Sequence, residues 1–277
     1  MQLLRSSRWW LLAMASLTVV GAVVGLVTPF ALGRAIDEVS RAHAARYGLI
    51  AAAIAAGARI GESAAYALSD LARATACARI TESLRLRMGD RAEAGPTLVA
   101  HVISDADAVE QAVVTVLDQG VSALLDLTLP AIALAFVSPW LVGSAATAIV
   151  LAGVATRMLH RPVGAASHDR QESLEDLVEA ATTGERFVEA VRATALSDRR
   201  LVAHAGIALQ TSAAATAGVS VAVLATAITV GLRPGAAVAA FLLAQRAGAA
   251  AETLFDAGLD LEVARGAISR CLAFIAV

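Results

Sequence analysis

Six charged side chains fall within or beside long apolar runs: Glu62, Asp118, Asp126, Arg246, Glu252 and Asp256. In hydrocarbon such a charge costs ~2.5–3.5 kcal/mol on insertion scales, so it faces a cavity or a partner. Glu62 follows Arg59 by three residues, one helical step, which leaves a local ion pair and a substrate contact both open. Asp118, Ser122 and Asp126 recur at four-residue steps near one helical face and have no basic neighbour in sequence. Together with Glu252 and Asp256 they would make an acidic cavity, the environment that favours a cationic or amphipathic substrate.

Several other chemistries are excluded. All 22 basic residues are Arg, and a P-loop needs its Lys to reach the β- and γ-phosphates, so the chain cannot bind ATP by that route. Cys77 and Cys271 are its only cysteines, too far apart in sequence to suggest a disulfide framework or a zinc site. His43, His101, His160, His168 and His204 form no ligand-spaced cluster, and no metal is expected. A net charge of −2 gives no reason to expect a nucleic-acid partner.

The elements that carry these residues are apolar blocks. Of 277 residues 58% are hydrophobic, and the mean hydropathy is +0.69, above the composition of a soluble domain. The run 9–30 is long enough for a hydrocarbon core of roughly 30 Å, and it lacks a small-residue cleavage site, so it reads as a first span rather than a signal peptide. Further spans are expected at about 47–68, 113–137, 140–159, 211–232 and 236–258. From Tyr47 to Met88 the helical pattern continues for 42 residues, roughly 63 Å of helix, so its second half projects beyond the bilayer. Ser138-Pro139 and Arg233-Pro234-Gly235 supply turns. Pro29 and Pro130 sit inside spans, where a kink is tolerated. Gly21 with Gly25, and Gly57 with Gly61, have helix-contact spacing, attributed here to chance in so Ala-rich a chain.

Between the spans lie polar segments, about 69–112, 160–210 and 259–277. The stretch 170–200 places Leu174, Leu177, Val178, Ala181, Gly184, Phe187, Val188, Val191 and Ala195 at three- and four-residue steps, with charges on the other faces. It reads as an amphipathic helical arm in water. Arg residues crowd these segments, whereas the opposite loops hold Arg41, Arg46 and Arg233. This is the positive-inside asymmetry, and it puts both termini in the cytoplasm of a multi-pass protein of the plasma membrane. The expected fold is all-α, with six transmembrane helices and long cytoplasmic helical extensions.

Four segments carry a family resemblance: TPFALGRAIDEV (28–39), VAHVISDADAVE (99–110), EAATTGERFVEAVRA (179–193) and GLRPGAAVAAFLL (231–243). In order and topology they resemble the transmembrane domain of an ABC exporter, and the resemblance spans nearly the whole chain. It implies a permease working as a homo- or heterodimer with a second such domain, alternating between inward- and outward-facing forms. ATP and Mg would sit on a separate or missing nucleotide-binding domain, and this chain would hold no cofactor and no catalytic residue. The resemblance also implies coupling tips that dock on that ATPase: His101, Ser104, Asp105 and Asp107 in one, and Thr182, Thr183, Gly184, Glu185, Arg186 and Phe187 in the other. The chain departs from the family in lacking a Walker A or signature motif, and in the shortness of its segments 85–105 and 184–235. The alternatives are a degenerate exporter domain acting as a scaffold or regulatory partner, and an ion-coupled secondary carrier using Glu62, Asp118 and Asp126.

Overall fold

The computed structural model describes residues 7–40, 45–89, 115–183 and 186–276, and every element among them is helical. They form α1 (Arg8–Ser40), α2 (Ala45–Gly89), α3 (Val121–Val137), α4 (Pro139–Thr183), α5 (Phe187–Thr229) and α6 (Pro234–Ala276). A π-helical turn, Thr115–Gly120, leads into α3. The first expected tip, with His101, Ser104, Asp105 and Asp107, lies outside the described residues, as do Gly184 and Glu185 and the side chains of Asp118, Thr182 and Thr183.

Ala-rich sequence lets these helices run long, in α4 even past Pro162. α2 and α4 have 45 residues each, α5 and α6 have 43, so each is roughly 65 Å long. Pro29, Pro130 and Pro162 lie within helices that continue past them. α1 and α2 (Arg46–Glu82) are long and apolar enough to cross a membrane, while Val121–Val137, Pro139–Val154 and Ala213–Thr229 are shorter apolar stretches.

The helices pair as two antiparallel hairpins. Along α1 and α2 the partners run in opposite order: Val39 beside Gly48, the Thr28 hydroxyl to the Ala55 carbonyl at 3.5 Å, Thr18 to Ser69 at 2.9 Å, and the Trp10 ring under Arg79 at 5.8 Å. α4 and α5 make the second hairpin. α6 packs against both hairpins and against α3, which makes it the central element.

The single amphipathic arm expected over 170–200 is instead this second hairpin. α4 ends at Thr183 and α5 starts at Phe187, with Arg186 at φ 54 in the left-handed region. The apolar periodicity runs through the reversal and so conceals it. What joins the two strands of the hairpin is polar: Ser173 and Ser197 hydroxyls at 2.8 Å, the Thr194 hydroxyl donating to the Ser173 carbonyl at 3.0 Å, and Arg170 on Asp198 at 2.5 Å. Both members of that ion pair are near half exposed, which limits its worth to about 1 kcal/mol or less. Asp198→Ala should therefore shift thermal unfolding by only a degree or two, measured on the purified protein.

The two short turns follow local chemistry. Ser138 is extended (φ −165, ψ 132), its N–H returns to the Leu134 carbonyl, and Pro139 opens α4, where no donor is needed. The last turn falls at 230–233, starting three residues before the expected Arg233-Pro234-Gly235. Gly231 takes the positive φ of 73, Pro234 begins α6, and Gly235 is already helical.

Packing is inverted relative to a water-soluble domain. Alanine dominates the buried set, joined by Gly21, Gly25 and Gly33 on α1. Large apolar side chains point outward on α1 to α5: Val20 and Val23 on α1, Ile54 and Leu68 on α2, Phe136 on α3, Val150 and Leu151 on α4, Val221 and Ile228 on α5. The core does hold Leu134, Leu141, Val219, Val223 and Leu243, but the many large side chains left outside forgo the hydrophobic gain a soluble fold would take, a distribution shared by helices packed in lipid.

Candidate functional site

The centre of the bundle holds an ion-pair cluster drawn from three helices. α6 supplies Arg246, α2 supplies Arg59, Glu62 and Tyr66, and α3 supplies Asp126. Counting rise along each helix from its end near the α5–α6 turn, the three helices contribute at depths of roughly 16–32 Å, Tyr66 the deepest. Spacing on α2 explains its three contributions, because residues three and four apart share a helix face.

Arg246 is the hub. Its Nη1 lies 2.8 Å from Glu62 Oε1, its Nη2 2.6 Å from Asp126 Oδ1, and its Nε 2.9 Å from the same Asp126 oxygen. The Tyr66 hydroxyl accepts from Arg246 Nη2 at 3.1 Å and donates to the Asp126 carboxylate, 3.3 Å from either oxygen. Arg59 reaches the second Glu62 oxygen at 2.7 Å. The Glu62 side chain is 5% exposed and that of Arg246 16%, against 70% for Arg59. Two guanidinium groups thus balance two carboxylates, with the outer Arg59 snorkelling toward the surface.

The fourth wall is a glycine. A Cβ on Gly25 of α1 would collide with Arg246 Nη1 and the Glu62 carboxylate. α1 can therefore lie against the cluster only because position 25 has no side chain. Gly21 plays a looser version of the same part, since a Cβ there would touch Ala65 and the Tyr66 ring at 3.4 Å. The expectation that this glycine spacing is incidental is corrected for α1; at Gly57 a Cβ would meet nothing within 4 Å.

The expectation of an acidic cavity is also corrected at Asp126. It lacks a basic neighbour in sequence but has Arg246 in space, and a carboxylate withdrawn from water requires such a partner. Of the six sequence candidates the fold brings together Glu62, Asp126 and Arg246. Glu252 lies a turn and two-thirds beyond Arg246 on another face of α6, where it accepts from the Thr216 hydroxyl at 2.9 Å. Asp256 is exposed. Sequence reading missed Tyr66 and set Gly25 aside as chance spacing; the signal for Tyr66 was its four-residue step from Glu62 within an Ala-rich stretch.

Among the described residues no group of three His, Cys, Asp or Glu is placed to hold a metal ion. With every charge opposed and no nucleophile beside a base, the cluster's chemical capacity is cohesive: it ties α2, α3 and α6 together under a glycine of α1. At the tip of the second hairpin the left-handed Arg186 and the following Phe187 and Val188 are exposed.

No protein-family model and no curated protein sequence matches the chain.

Proposed function

We propose that the chain is the permease half of an ABC-type exporter, with six membrane spans and cytoplasmic termini, driven by ATP and Mg on a partner nucleotide-binding domain. The observation that carries this reading is the combination of inverted packing with helix length. α2, α4, α5 and α6 are each about twice the thickness of a hydrocarbon core. The apolar portions of α2, α4 and α5 turn large side chains outward, while the far part of the α4–α5 hairpin is joined by hydroxyls and an ion pair suited to water. A stiff rod crossing from water into lipid can carry a rigid-body movement from one to the other. The exposed Arg186, Phe187 and Val188 would dock on the ATPase.

In this arrangement the Arg246 cluster lies at mid-membrane depth, where its balanced charges avoid the penalty of a lone ion. A second copy, or a homologous chain, would complete the pathway.

Topology gives a direct test. In a background with Cys77 and Cys271 replaced by Ser, Arg233→Cys should react with a membrane-impermeant maleimide on intact cells, and Arg186→Cys only after permeabilisation. Labelling of both from the same side would overturn the six-span arrangement. For coupling, a nucleotide-binding ATPase should co-purify with the wild type and be lost with Phe187→Asp. Co-purification unaffected by that change would remove the proposed dock, and absence of any ATPase would favour the scaffold reading.

A further inference from the structure

We infer that a small pocket around Glu252 binds the primary ammonium head of a lipophilic amine that enters from the bilayer. The pocket lies between α4, α5 and α6 and is apolar apart from Glu252 and Thr216, with Ile149, Val219 and Phe255 among its walls. Two glycines shape it: a Cβ on Gly153 would strike the Phe255 ring, and one on Gly248 would press on Thr216 at 3.1 Å. Those absences let the ring and the hydroxyl sit beside the carboxylate.

Charge distinguishes this place from the Arg246 cluster. Among the described residues Glu252 has one polar partner, the neutral Thr216 hydroxyl at 2.9 Å, and no cation. A carboxylate in apolar surroundings with only one neutral hydrogen bond is short of positive charge. The enclosed space holds about one water-sized group, the size of an –NH3+ head and smaller than a trimethylammonium. An ammonium there would donate to the free Glu252 oxygen and to the Thr216 oxygen, with the Phe255 ring face as a cation–π neighbour. Phe255 is itself 38% exposed, so this wall of the pocket reaches the surface, where the alkyl tail of the amine would lie. A zwitterionic aminophospholipid would carry its phosphate toward the same carboxylate, which argues for a simple alkylamine.

The inference deepens the transporter reading by naming a substrate class, but binding needs neither ATP nor a partner. Its test is therefore saturation binding of radiolabelled octylamine to the purified full chain in a non-ionic detergent, with octanol and octyltrimethylammonium as competitors. Octylamine should bind saturably, octanol should not displace it, and the bulkier cation should compete poorly. Glu252→Gln should weaken binding roughly 10–100-fold, the equivalent of one charged hydrogen bond. Thr216→Val should weaken it less, and Glu252→Asp should retain part of it. Equal binding by Glu252→Gln, displacement by octanol, or no saturable octylamine binding to well-folded wild type would each overturn the site, whatever the fate of the ATPase coupling.

Discussion

Arg246→Met should destabilise the purified chain by about 3–5 kcal/mol, the range seen when one partner of a buried charge pair is removed. Two carboxylates lose their cation at once, yet their situations differ. Glu62 keeps Arg59 at 2.7 Å, whereas Asp126 retains only the Tyr66 hydroxyl at 3.3 Å. The larger share of the loss should fall on Asp126. Equilibrium unfolding in mixed micelles can apportion it: Asp126→Asn with Arg246→Met should be markedly milder than Arg246→Met alone, because the double change leaves fewer stranded charges. An ordinary hydrogen bond between membrane helices averages only ~0.6 kcal/mol. A cost for Arg246→Met near that figure, with no recovery in the double variant, would show that the cluster does not clamp the bundle.

The same cluster marks how far sequence carries. Glu62, Asp126 and Arg246 were legible as costly charges in apolar runs, because that cost depends only on composition and depth. Their pairing was not legible, since Arg246 lies on the last helix and Glu62 on the second. Hence an acidic cavity was expected where a neutral network stands. Gly25 failed for a related reason: its spacing to Gly21 is common in Ala-rich helices, and only the guanidinium pressed against it gives it meaning.

Local structure was easier where one residue decides it. Ser138-Pro139 fixed a turn, because proline cannot donate and opens a helix well. Periodicity hid the reversal before Phe187, because apolar residues on both of its sides kept a helical period across it, although the family resemblance implied a tip over 182–187. Among the described residues the left-handed one there is Arg186 rather than a glycine. The all-helical fold followed from period and composition. The long rods are seen as helices.

Gly235→Ala is the second change expected to have a large effect, at about 2–4 kcal/mol from overpacking together with loss of a helix cap. α1 crosses α6 backbone to backbone at Gly33 and Gly235. A Cβ on Gly235 would overlap the Gly33 carbonyl oxygen and approach the Asp37 carboxylate carbon to 2.6 Å. A Cβ on Gly33 would in turn overlap the Gly235 carbonyl. The nearest obstructing atom in each case is a main-chain carbonyl oxygen, which cannot rotate aside, so the helices must separate. Separation also removes the hydrogen bond from the Gly235 N–H to Asp37 Oδ1, now 2.8 Å, by which α1 caps the first turn of α6. Asp37→Asn keeps an acceptor and should cost less than 1 kcal/mol or so. Gly143→Ala, where a Cβ would meet nothing within 4 Å, should be neutral or mildly stabilising because alanine is the better helix former. Unfolding midpoints of the three variants in one detergent decide the matter. If Gly235→Ala and Gly143→Ala behave alike, α1 and α6 are not in tight contact at this end. A large loss confined to Gly235→Ala would instead identify the crossing as the fixed point against which the rest of α6, with Arg246 and Glu252 on its two faces, is positioned.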